Sequence, residues 1–520
     1  MTHMAKLSPR SMRRAATSTL LLLVPAVGAL SCTDLTVTPK DALTPSNAFR
    51  SDAEVLAGVA SVYAQLRQTV ENYYNISEIS SGEMIVPTRG SDWYDNGVWV
   101  EEYQQGWTAN SALGIGDING VWNAMFSGIA RANLMIDVIN TAGGASKDTT
   151  LAELRTLRAW YYYVLQDFFG GVPLVTSTEV KQYPRSSRDE IFKFIESELK
   201  ASAANLPTKW PDAFSGRVTK GAANAILASL YLNAQVYDGN VTAAGLTKGT
   251  ARWQDAISAA NAVINSGVYS LATDWKSNFS TDNHNSPENI FYVQHTAQPG
   301  LGMSLQMRSL HYNQTGVNGG PWNGFSTTAE VYRRWDAADP RRSMWLVGPQ
   351  RSFDTGQPTT DRQGNPLIFT DTIGNITAAN ENEGVRPYKF PVLSSAPSGD
   401  AFPNNYPIYR LAEMYLIRAE AQNELGQTAA AIADVNIVRR RVGLAALNTG
   451  MSQADARTAI FAERQFELAA EGKYRQDAIR AGVYTAARQF KTAKEPYKIL
   501  MPIPATQIQT NPLLTQNPGY

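Results

Sequence analysis

The sequence predicts a mainly α-helical protein, in which about four tetratricopeptide-like helical hairpins support a large, irregular, loop-rich ligand face. Three observations lead to this fold class. Apolar residues recur at intervals of three and four along much of the chain, which is typical of amphipathic helices. These segments come in pairs, with small residues at positions of close packing and aromatic residues at bulky ones. Two stretches rich in Gly, Asn and aromatic residues interrupt the pairs and show no helical period.

Composition excludes several classes of protein. The chain has 520 residues, of which 43% are hydrophobic and 18% charged, so it can bury a substantial core. Without residues 1–31, the chain has 42 basic and 46 acidic residues, a net charge of −4 that gives no footprint for nucleic acid. Its one cysteine, Cys32, leaves the rest of the chain without a disulfide framework or a thiol nucleophile.

The N-terminus has the pattern of an export signal. A basic start is followed by an uncharged segment, residues 15–31, that is too short and too interrupted for a membrane span. The segment closes with Ala-Leu-Ser before Cys32, which resembles a bacterial lipobox, where the cysteine is acylated and becomes the new N-terminus. We therefore predict a lipoprotein signal peptide (1–31), acylation of Cys32, for example by palmitate, and a tether (32–50). The alternative is a plain secreted protein with an incidental cysteine.

Helix signals divide the rest into an N-terminal helical region, 51–269, and a C-terminal region, 270–520. Ser51 and Ser187, each followed three residues later by glutamate, have capping-box spacing and mark helix starts. In the C-terminal region, residues 411–437 form the last predicted hairpin, which turns at Gly426. Residues 290–293 fit a short strand.

The two stretches without period are predicted to be loops. The first is residues 73–116 and the second is a large insertion, residues 270–405. Because loops on a rigid scaffold commonly carry binding, we expect the insertion to form a binding face.

Six motifs, in order, resemble the SusD/RagB outer-membrane lipoproteins of nutrient-uptake systems. The resemblance covers nearly the whole chain after Cys32. The motifs are LRAWYYY leading to FGGVPL (157–174), GRVTKGAA (216–223), YRLAEMYLIRAEA (409–421), ERQFELAAEG (463–472), PIP (502–504) and NPGY (517–520).

This resemblance implies a fold, a partner and a location. The fold is four tetratricopeptide-like hairpins below an irregular ligand face. The partner is a SusC-type TonB-dependent barrel transporter, on which such proteins sit as a lid. The location is the outer membrane, lipid-anchored and facing the exterior. The family captures nutrients, typically oligosaccharides, and its members are binding proteins and not enzymes.

Candidate ligand contacts come from the two irregular stretches. A sugar needs an aromatic platform for its C–H face and polar partners for its hydroxyl groups. Both stretches contain such mixtures, although each aromatic residue could instead pack on the scaffold or on the partner barrel. The candidates are Trp93, Tyr94, Trp99, Trp107, Tyr312, Asn313 and Trp322.

Catalytic and metal signals are weak. Glu463, Glu467 and Glu471 recur at a spacing of four, and paired carboxylates can hydrolyse glycosides. Nearby arginines (Arg464, Arg475, Arg480) favour a structural ion-pair network instead. The histidines lack ligand spacing, and residues 282–288 lack the glycine and spacing of a calcium loop, so we expect neither catalytic residues nor a metal or cofactor, with a structural calcium left open.

The sequence thus predicts a surface lipoprotein that binds a nutrient, most simply a glycan, and passes it to the transporter. The same scaffold could capture oligopeptides or another nutrient. A surface glycoside hydrolase and a purely structural interaction scaffold are the remaining alternatives.

Overall fold

Helices dominate this computed structural model, which describes Phe49 and residues 51–142 and 147–520. The first helices of the described chain are α1 (Asp52–Ala64), α2 (Asn72–Ser81), α3 (Val98–Tyr103), α4 (Asn119–Ala142), α5 (Lys147–Phe169), α6 (Arg188–Asn205), α7 (Lys220–Leu232), α8 (Ala234–Tyr237) and α9 (Trp253–Ile264). Those that follow are α10 (Leu305–Ser309), α11 (Ala329–Tyr332), α12 (Leu411–Glu424), α13 (Thr428–Arg441), α14 (Gln453–Leu468), α15 (Tyr474–Arg480) and α16 (Ala505–Thr510).

The strands are short and pair only in antiparallel twos within the described chain. β1 pairs with β2, β3 with β8, β4 with β7 and β5 with β6. Their bounds are β1 (Asn240–Thr242), β2 (Gly245–Thr247), β3 (Asn289–Val293), β4 (Trp345–Leu346), β5 (Gly348–Pro349), β6 (Ile368–Phe369), β7 (Arg386–Pro387) and β8 (Tyr406–Arg410).

Both predicted capping boxes are present. Ser51 accepts a hydrogen bond from the Glu54 amide, and the Glu54 carboxylate accepts one from the Ser51 amide at 2.8 Å. Ser187 and Glu190 repeat the arrangement at the start of α6, where the Ser187 amide donates to the carboxylate at 2.7 Å. These bonds satisfy amide groups that have no partner inside the helix, which defines where α1 and α6 begin.

Eight helices pack one against the next and confirm the predicted fold class. The order is α4, α5, α6, α7, α9 and α12, with α13 and α14 completing the stack against α12. Small residues allow the close approach: a Cβ atom on Gly128 of α4 would lie 2.6 Å from the Tyr161 ring of α5. A second, smaller core joins α12, α13 and α14 through alanines and aliphatic residues. The stack therefore has the pairwise packing of tetratricopeptide-like hairpins.

The first predicted loop region is more ordered than the sequence indicated. Residues 73–116 contain most of α2, all of α3 and part of a π-helix, Gly114–Ile118. Every residue of α2 from Tyr73 to Ser81 is buried. A helix buried on all sides needs no single apolar stripe, which is why the periodicity missed it.

The insertion is closed by a strand pair. The predicted strand at 290–293 is confirmed as part of β3, whose partner β8 lies immediately before α12. The chain between β3 and β8 is mostly irregular, as expected. Because its two ends pair, the insertion leaves the helical stack and returns to it at one place.

Some predictions are not tested by this structure. The signal peptide, Cys32 and almost all of the tether lie outside the described residues. The described residues from Phe49 onward belong to one compact unit, and the boundary between 269 and 270 stays a prediction. Among the helices that the structure describes, none is long and apolar enough to cross a membrane.

Candidate functional site

The two irregular stretches, far apart in sequence, meet in the structure. The indole Nε1 of Trp93 donates a hydrogen bond to the carbonyl oxygen of Trp322 at 2.6 Å. The hydroxyl group of Tyr312 donates to Oδ2 of Asp92 at 2.6 Å. These contacts bring together six of the seven sequence-predicted ligand residues: Trp93, Tyr94, Trp99, Tyr312, Asn313 and Trp322. We call the surface formed by these six residues the aromatic face.

A buried ring supports the aromatic face. The rings of Trp93 and Trp99 meet edge to face with centroids 5.2 Å apart. Both also meet Phe325, at 5.8 and 6.0 Å, and Phe325 is only 1% exposed. Gly324 provides room for this packing, since a Cβ atom there would lie 2.2 Å from the Trp93 ring. The indoles of Trp93 and Trp99 therefore form a fixed base, and sequence reasoning missed the phenylalanine beneath them because it resembles any core residue.

A tight turn places Tyr94 at the surface. Trp93, Asp95 and Asn96 all have positive φ angles, 59°, 35° and 56°, which non-glycine residues seldom adopt. The turn is tied by a hydrogen bond of 2.7 Å from Trp99 Nε1 to Oδ2 of Asp95. Strained backbone of this kind persists only where the surroundings hold it, and it often marks a functional surface.

Two aromatic side chains of this face remain open to solvent. Tyr94 is 58% exposed and Trp322 is 38% exposed. Trp322 donates its own Nε1 proton to the carbonyl oxygen of Gly319 at 3.0 Å, so the polar edge of its indole is occupied. The exposed aromatic surface of these residues can act as a stacking platform for a flat apolar group.

Charged and polar groups border the platform. Arg362 forms ion pairs with Asp92 at 3.1 Å and with Glu381 at 2.7 Å, and its guanidinium lies 4.2 Å from the centre of the Tyr312 ring. The hydrogen bond to Glu381 raises the pKa of Arg362, while burial and Asp92 raise that of Tyr312. The amide nitrogen of Asn313 donates to the carbonyl groups of Thr360 and Asp361. Arg362 had no distinguishing pattern in sequence, because it lies in an aperiodic loop.

Trp107 is not part of the aromatic face. Its side chain is fully buried, and its Nε1 donates to the hydroxyl group of Tyr520 at 2.9 Å. The Lys498 ammonium lies 5.4 Å from the centre of its ring. A fully buried ring offers no surface to a ligand. Trp107 therefore packs against the C-terminus and does not make the ligand contact that we expected from the sequence.

The glutamates at 463, 467 and 471 form a buried ion-pair network, but not with the expected partners. Arg341 pairs with Glu463 at 2.7 Å and with Glu467 at 2.9 Å. The arginines close by in sequence pair elsewhere: Arg464 with Asp477, Arg475 with Asp167 and Arg480 with Glu420. Glu471 also lies beyond the end of α14, in the turn before α15, rather than on its face.

The three glutamates of this network are not accessible to a glycoside substrate. Glu463, Glu467 and Glu471 are each under 5% exposed and bound to cations. The neighbouring cations hold the pKa values of Glu467 and Glu471 below the usual range, so both stay charged and tightly paired. Within the described ranges, no group of three or more His, Cys, Asp or Glu residues is placed to hold a metal ion.

The fold and the site together define a helical-repeat protein that carries an aromatic, polar-bordered loop face. Comparison with known proteins then gives the family. The model of the SusD family matches residues 261–520, and a second model, described as starch-binding associating with outer membrane, matches residues 41–232. The chain belongs to the SusD family.

Curated relatives span most of the chain. SusD-like protein P25 of Formosa agariphila is 24% identical over 93% of this chain and 95% of its own length. Starch-binding protein SusD of Bacteroides thetaiotaomicron is 26% identical over 75% of this chain and 76% of its own length.

Solved structures share the fold. A laminarin-binding SusD-like protein superposes with a TM-score of 0.74 and 23% identity, covering 91% of this chain and all of its own. Surface glycan-binding protein A of Bacteroides thetaiotaomicron, solved in complex with laminarihexaose, superposes with a TM-score of 0.68 and 20% identity over 90% of this chain and 99% of its own.

Proposed function

We propose that this protein binds a glycan on its aromatic face and delivers it to a SusC-type TonB-dependent barrel transporter in the outer membrane. The observation that carries the proposal is the pair of exposed aromatic side chains, Tyr94 and Trp322, next to a packed aromatic base. Sugar rings stack their C–H faces on such side chains, and their hydroxyl groups need polar partners close by. Arg362 and Asp92 lie at that border.

The known relatives support a sugar as the ligand. Relatives of this chain are described as binding starch and laminarin, which are both glucans. In this proposal, the side chains of the loops that form the aromatic face determine which glycan binds. The role is binding and not catalysis, since the one carboxylate cluster that the sequence offered as a hydrolytic pair is buried and ion-paired.

The proposed location follows from the N-terminus and the family. Acylation at Cys32 and the tether, 32–50, would hold the protein at the membrane surface. In this arrangement the aromatic face captures the glycan and the transporter receives it. A pull-down from detergent-solubilised outer membrane should recover a large barrel protein, and repeated absence of such a protein would contradict the delivery role.

Truncation of the exposed aromatics tests the binding proposal. We expect Trp322→Ala and Tyr94→Ala each to weaken glycan binding by about 2 kcal/mol, as for a typical aromatic hot spot. The measurement is isothermal titration calorimetry against a panel of glucans and other hexasaccharides, after a binding screen has chosen the ligand.

Leu425→Ala is the matched control. Leu425 is a similarly exposed apolar residue, 43% exposed, at the end of α12, and its truncation should leave affinity unchanged. Equal affinities for the wild type and both aromatic variants would contradict the assignment of the aromatic face. Binding of oligopeptides in place of glycans would indicate a peptide-capturing protein. Turnover of a bound glycan would indicate a hydrolase. The absence of any small-ligand binding would indicate a purely structural scaffold.

A further inference from the structure

Two clefts lie side by side along α1 and the turn that follows it. The first has a volume of about 360 Å³ and the second about 270 Å³, and both are lined by Ala64 and Arg67. Because both clefts border these residues, they are neighbours, and we call the pair the Arg67 groove. Its size is in the range of small-molecule binding sites. None of the six residues of the aromatic face lines these clefts.

Arg67, which lines both clefts, has no charged partner among the residues that the structure describes. Its Nε atom is buried and has no hydrogen-bond partner, and no ion pair or hydrogen bond from its guanidinium is found among residues 51–142 and 147–520. Burial lowers the pKa of Arg67 without any carboxylate to offset it. A partly buried guanidinium without a partner in the protein is free to pair with an anionic ligand that enters the groove.

The other charged groups that line the groove already have partners. The Nε and Nη2 atoms of Arg217 donate to the two carboxylate oxygens of Glu153. Glu71 pairs with Arg308 at 2.6 Å. The groove therefore has one uncompensated positive charge within the described chain, that of Arg67. This charge is complementary to a single anionic group.

A neutral histidine lies beside Arg67. Burial and the charge of Arg67 lower the pKa of His295 to about 4, so its ring is uncharged at neutral pH. Its Nδ1 lies 3.1 Å from the carbonyl oxygen of Asn404, which requires the proton on that nitrogen. Nε2 is then a free acceptor, suited to a hydroxyl group of a ligand.

The opposite half of the groove is apolar. Leu56 is 46% exposed there, next to Val59, Ala60 and Leu66. Tyr292 adds an aromatic ring to the same wall. A ligand that fits both halves needs an apolar face, hydroxyl groups and one anionic group.

We infer that the Arg67 groove binds an acidic sugar residue, a uronate whose carboxylate pairs with the Arg67 guanidinium. A uronate has a C–H face for the apolar wall, hydroxyl groups for His295 and a carboxylate that accepts two parallel hydrogen bonds from arginine. The inference rests on the proposed glycan-binding function and names the substrate class: a glycan that contains uronic acid.

A short helix links the groove to the aromatic face. Met303 and Ser304, which line the second cleft, directly precede α10. Arg308 of α10 pairs with Glu71 of the groove and lies 5.9 Å from the centre of the Phe325 ring beneath the aromatic face. Side chains of α10 therefore contact both the groove and the base of the aromatic face.

The experiment compares acidic glycans with their own neutral esters. Hexagalacturonate and hexaglucuronate are titrated calorimetrically into the wild-type protein, each beside its methyl ester, which keeps the sugar chain and removes the charge. We expect at least one acid to bind about tenfold more tightly than its ester. Arg67→Gln should abolish that preference by weakening binding of the acid, and Arg67→Lys should restore part of it.

Arg440→Gln is the matched control, because Arg440 is an exposed arginine on α13 whose loss removes the same charge elsewhere. The inference is overturned if every acid binds no better than its ester, or if Arg67→Gln keeps the preference. A sulfated hexasaccharide is titrated in a separate experiment. If Arg67 is needed for binding of the sulfated sugar and not of the uronates, the uronate inference is wrong. Acidic peptides that bind as tightly as the uronates would also overturn it.

The same measurements distinguish an error in the proposed function from an error in this inference. If esters and acids bind equally and both lose affinity in Trp322→Ala, the protein binds glycans and only the uronate inference is wrong. If no glycan binds at all, both are wrong.

Discussion

Arg410, the last residue of β8, is 1% exposed and holds three carboxylates together. Its guanidinium donates to Glu288 at 2.6 Å, to Glu467 at 2.9 Å and to Glu471 at 2.8 Å. Glu288 lies immediately before β3, Glu467 lies on α14 and Glu471 lies in the turn after α14. The ion pairs therefore fasten both ends of the insertion to the helical stack. A buried charge is tolerated only with such partners.

We expect Arg410→Met to destabilise the protein by about 3–5 kcal/mol, because it leaves several buried carboxylates without their shared cation. Arg410→Lys should destabilise the protein less, because lysine keeps the positive charge but cannot donate to several carboxylates from a planar guanidinium. Urea unfolding followed by circular dichroism measures both changes.

The exposed Arg440 serves again as the comparison, and Arg440→Met should shift the free energy of unfolding by less than about 0.5 kcal/mol. A loss below about 1 kcal/mol in Arg410→Met would show that the network contributes little to stability.

Individual aromatic residues show the limit of prediction at this scale. Trp99 and Trp107 lie in the same stretch without helical period, yet Trp99 belongs to the aromatic face and Trp107 is buried against Tyr520. Their difference depends on partners more than 200 residues away, Phe325 and Tyr520, which no local pattern contains. The sequence therefore identified stretches rich in aromatic residues, but it could not predict the role of each ring.

At the scale of elements, the turn between α14 and α15 is held by two acids of a distant segment. The Glu78 carboxylate accepts a hydrogen bond from the Gly472 amide at 2.5 Å, and that of Glu83 accepts one from the Ala470 amide at 3.1 Å. Both turn residues have positive φ, 71° and 62°. Glu83 thus stabilises a backbone conformation at Ala470 that is unfavourable for a residue other than glycine.

This pair should make stability depend on pH. Burial raises the pKa of Glu78 to about 6, and burial together with the Glu78 charge raises that of Glu83. Because the folded values lie above those of the unfolded chain, the contribution is fully present below about pH 4.5 and is lost as pH rises through about 6 and beyond. The expected loss is on the order of 2 kcal/mol for Glu78.

Glu83→Gln should flatten this dependence and raise stability at pH 8 relative to the wild type, since the amide keeps a donor and an acceptor without charge. Urea unfolding from pH 5 to 8 measures the slope for both proteins. The surface variant Glu179→Gln should keep the wild-type slope, and an unchanged slope in Glu83→Gln would exclude the acid pair as its cause.

Helix prediction succeeded where the helix has one buried side or a marked start. α1 and α6 begin at their capping boxes because the same few residues supply both donors and acceptors. α2 was missed because Tyr73–Ser81 is buried all round and includes polar residues that bond to distant segments. Local signals describe helices that face water on one side, and they fail for helices inside the core.

At the scale of the whole molecule, we propose that the N-terminus holds the protein at the membrane through Cys32. We expect Cys32→Ala to release the protein from the membrane fraction, because acyl chains contribute about 0.8 kcal/mol per buried CH₂ group and several chains anchor almost permanently. Expression with labelled palmitate, followed by fractionation, measures both the lipid and the location.

Thr33→Ala is the neighbouring control and should keep label and location. Label that persists in Cys32→Ala would refute acylation at this position. Loss of label without release from the membrane would assign the attachment to the barrel partner instead.

The amino-acid sequence by itself determined the helical class, the paired stack, the family and the position expected for the anchor. These depend on periodicity and short motifs, which are local. Only the tertiary structure decided which aromatic residues face solvent, which cations neutralise the glutamates and that Arg67 has no partner within the described part of the chain. Those facts depend on contacts between segments hundreds of residues apart, such as Trp93 with Trp322, and burial is a property of the assembled fold.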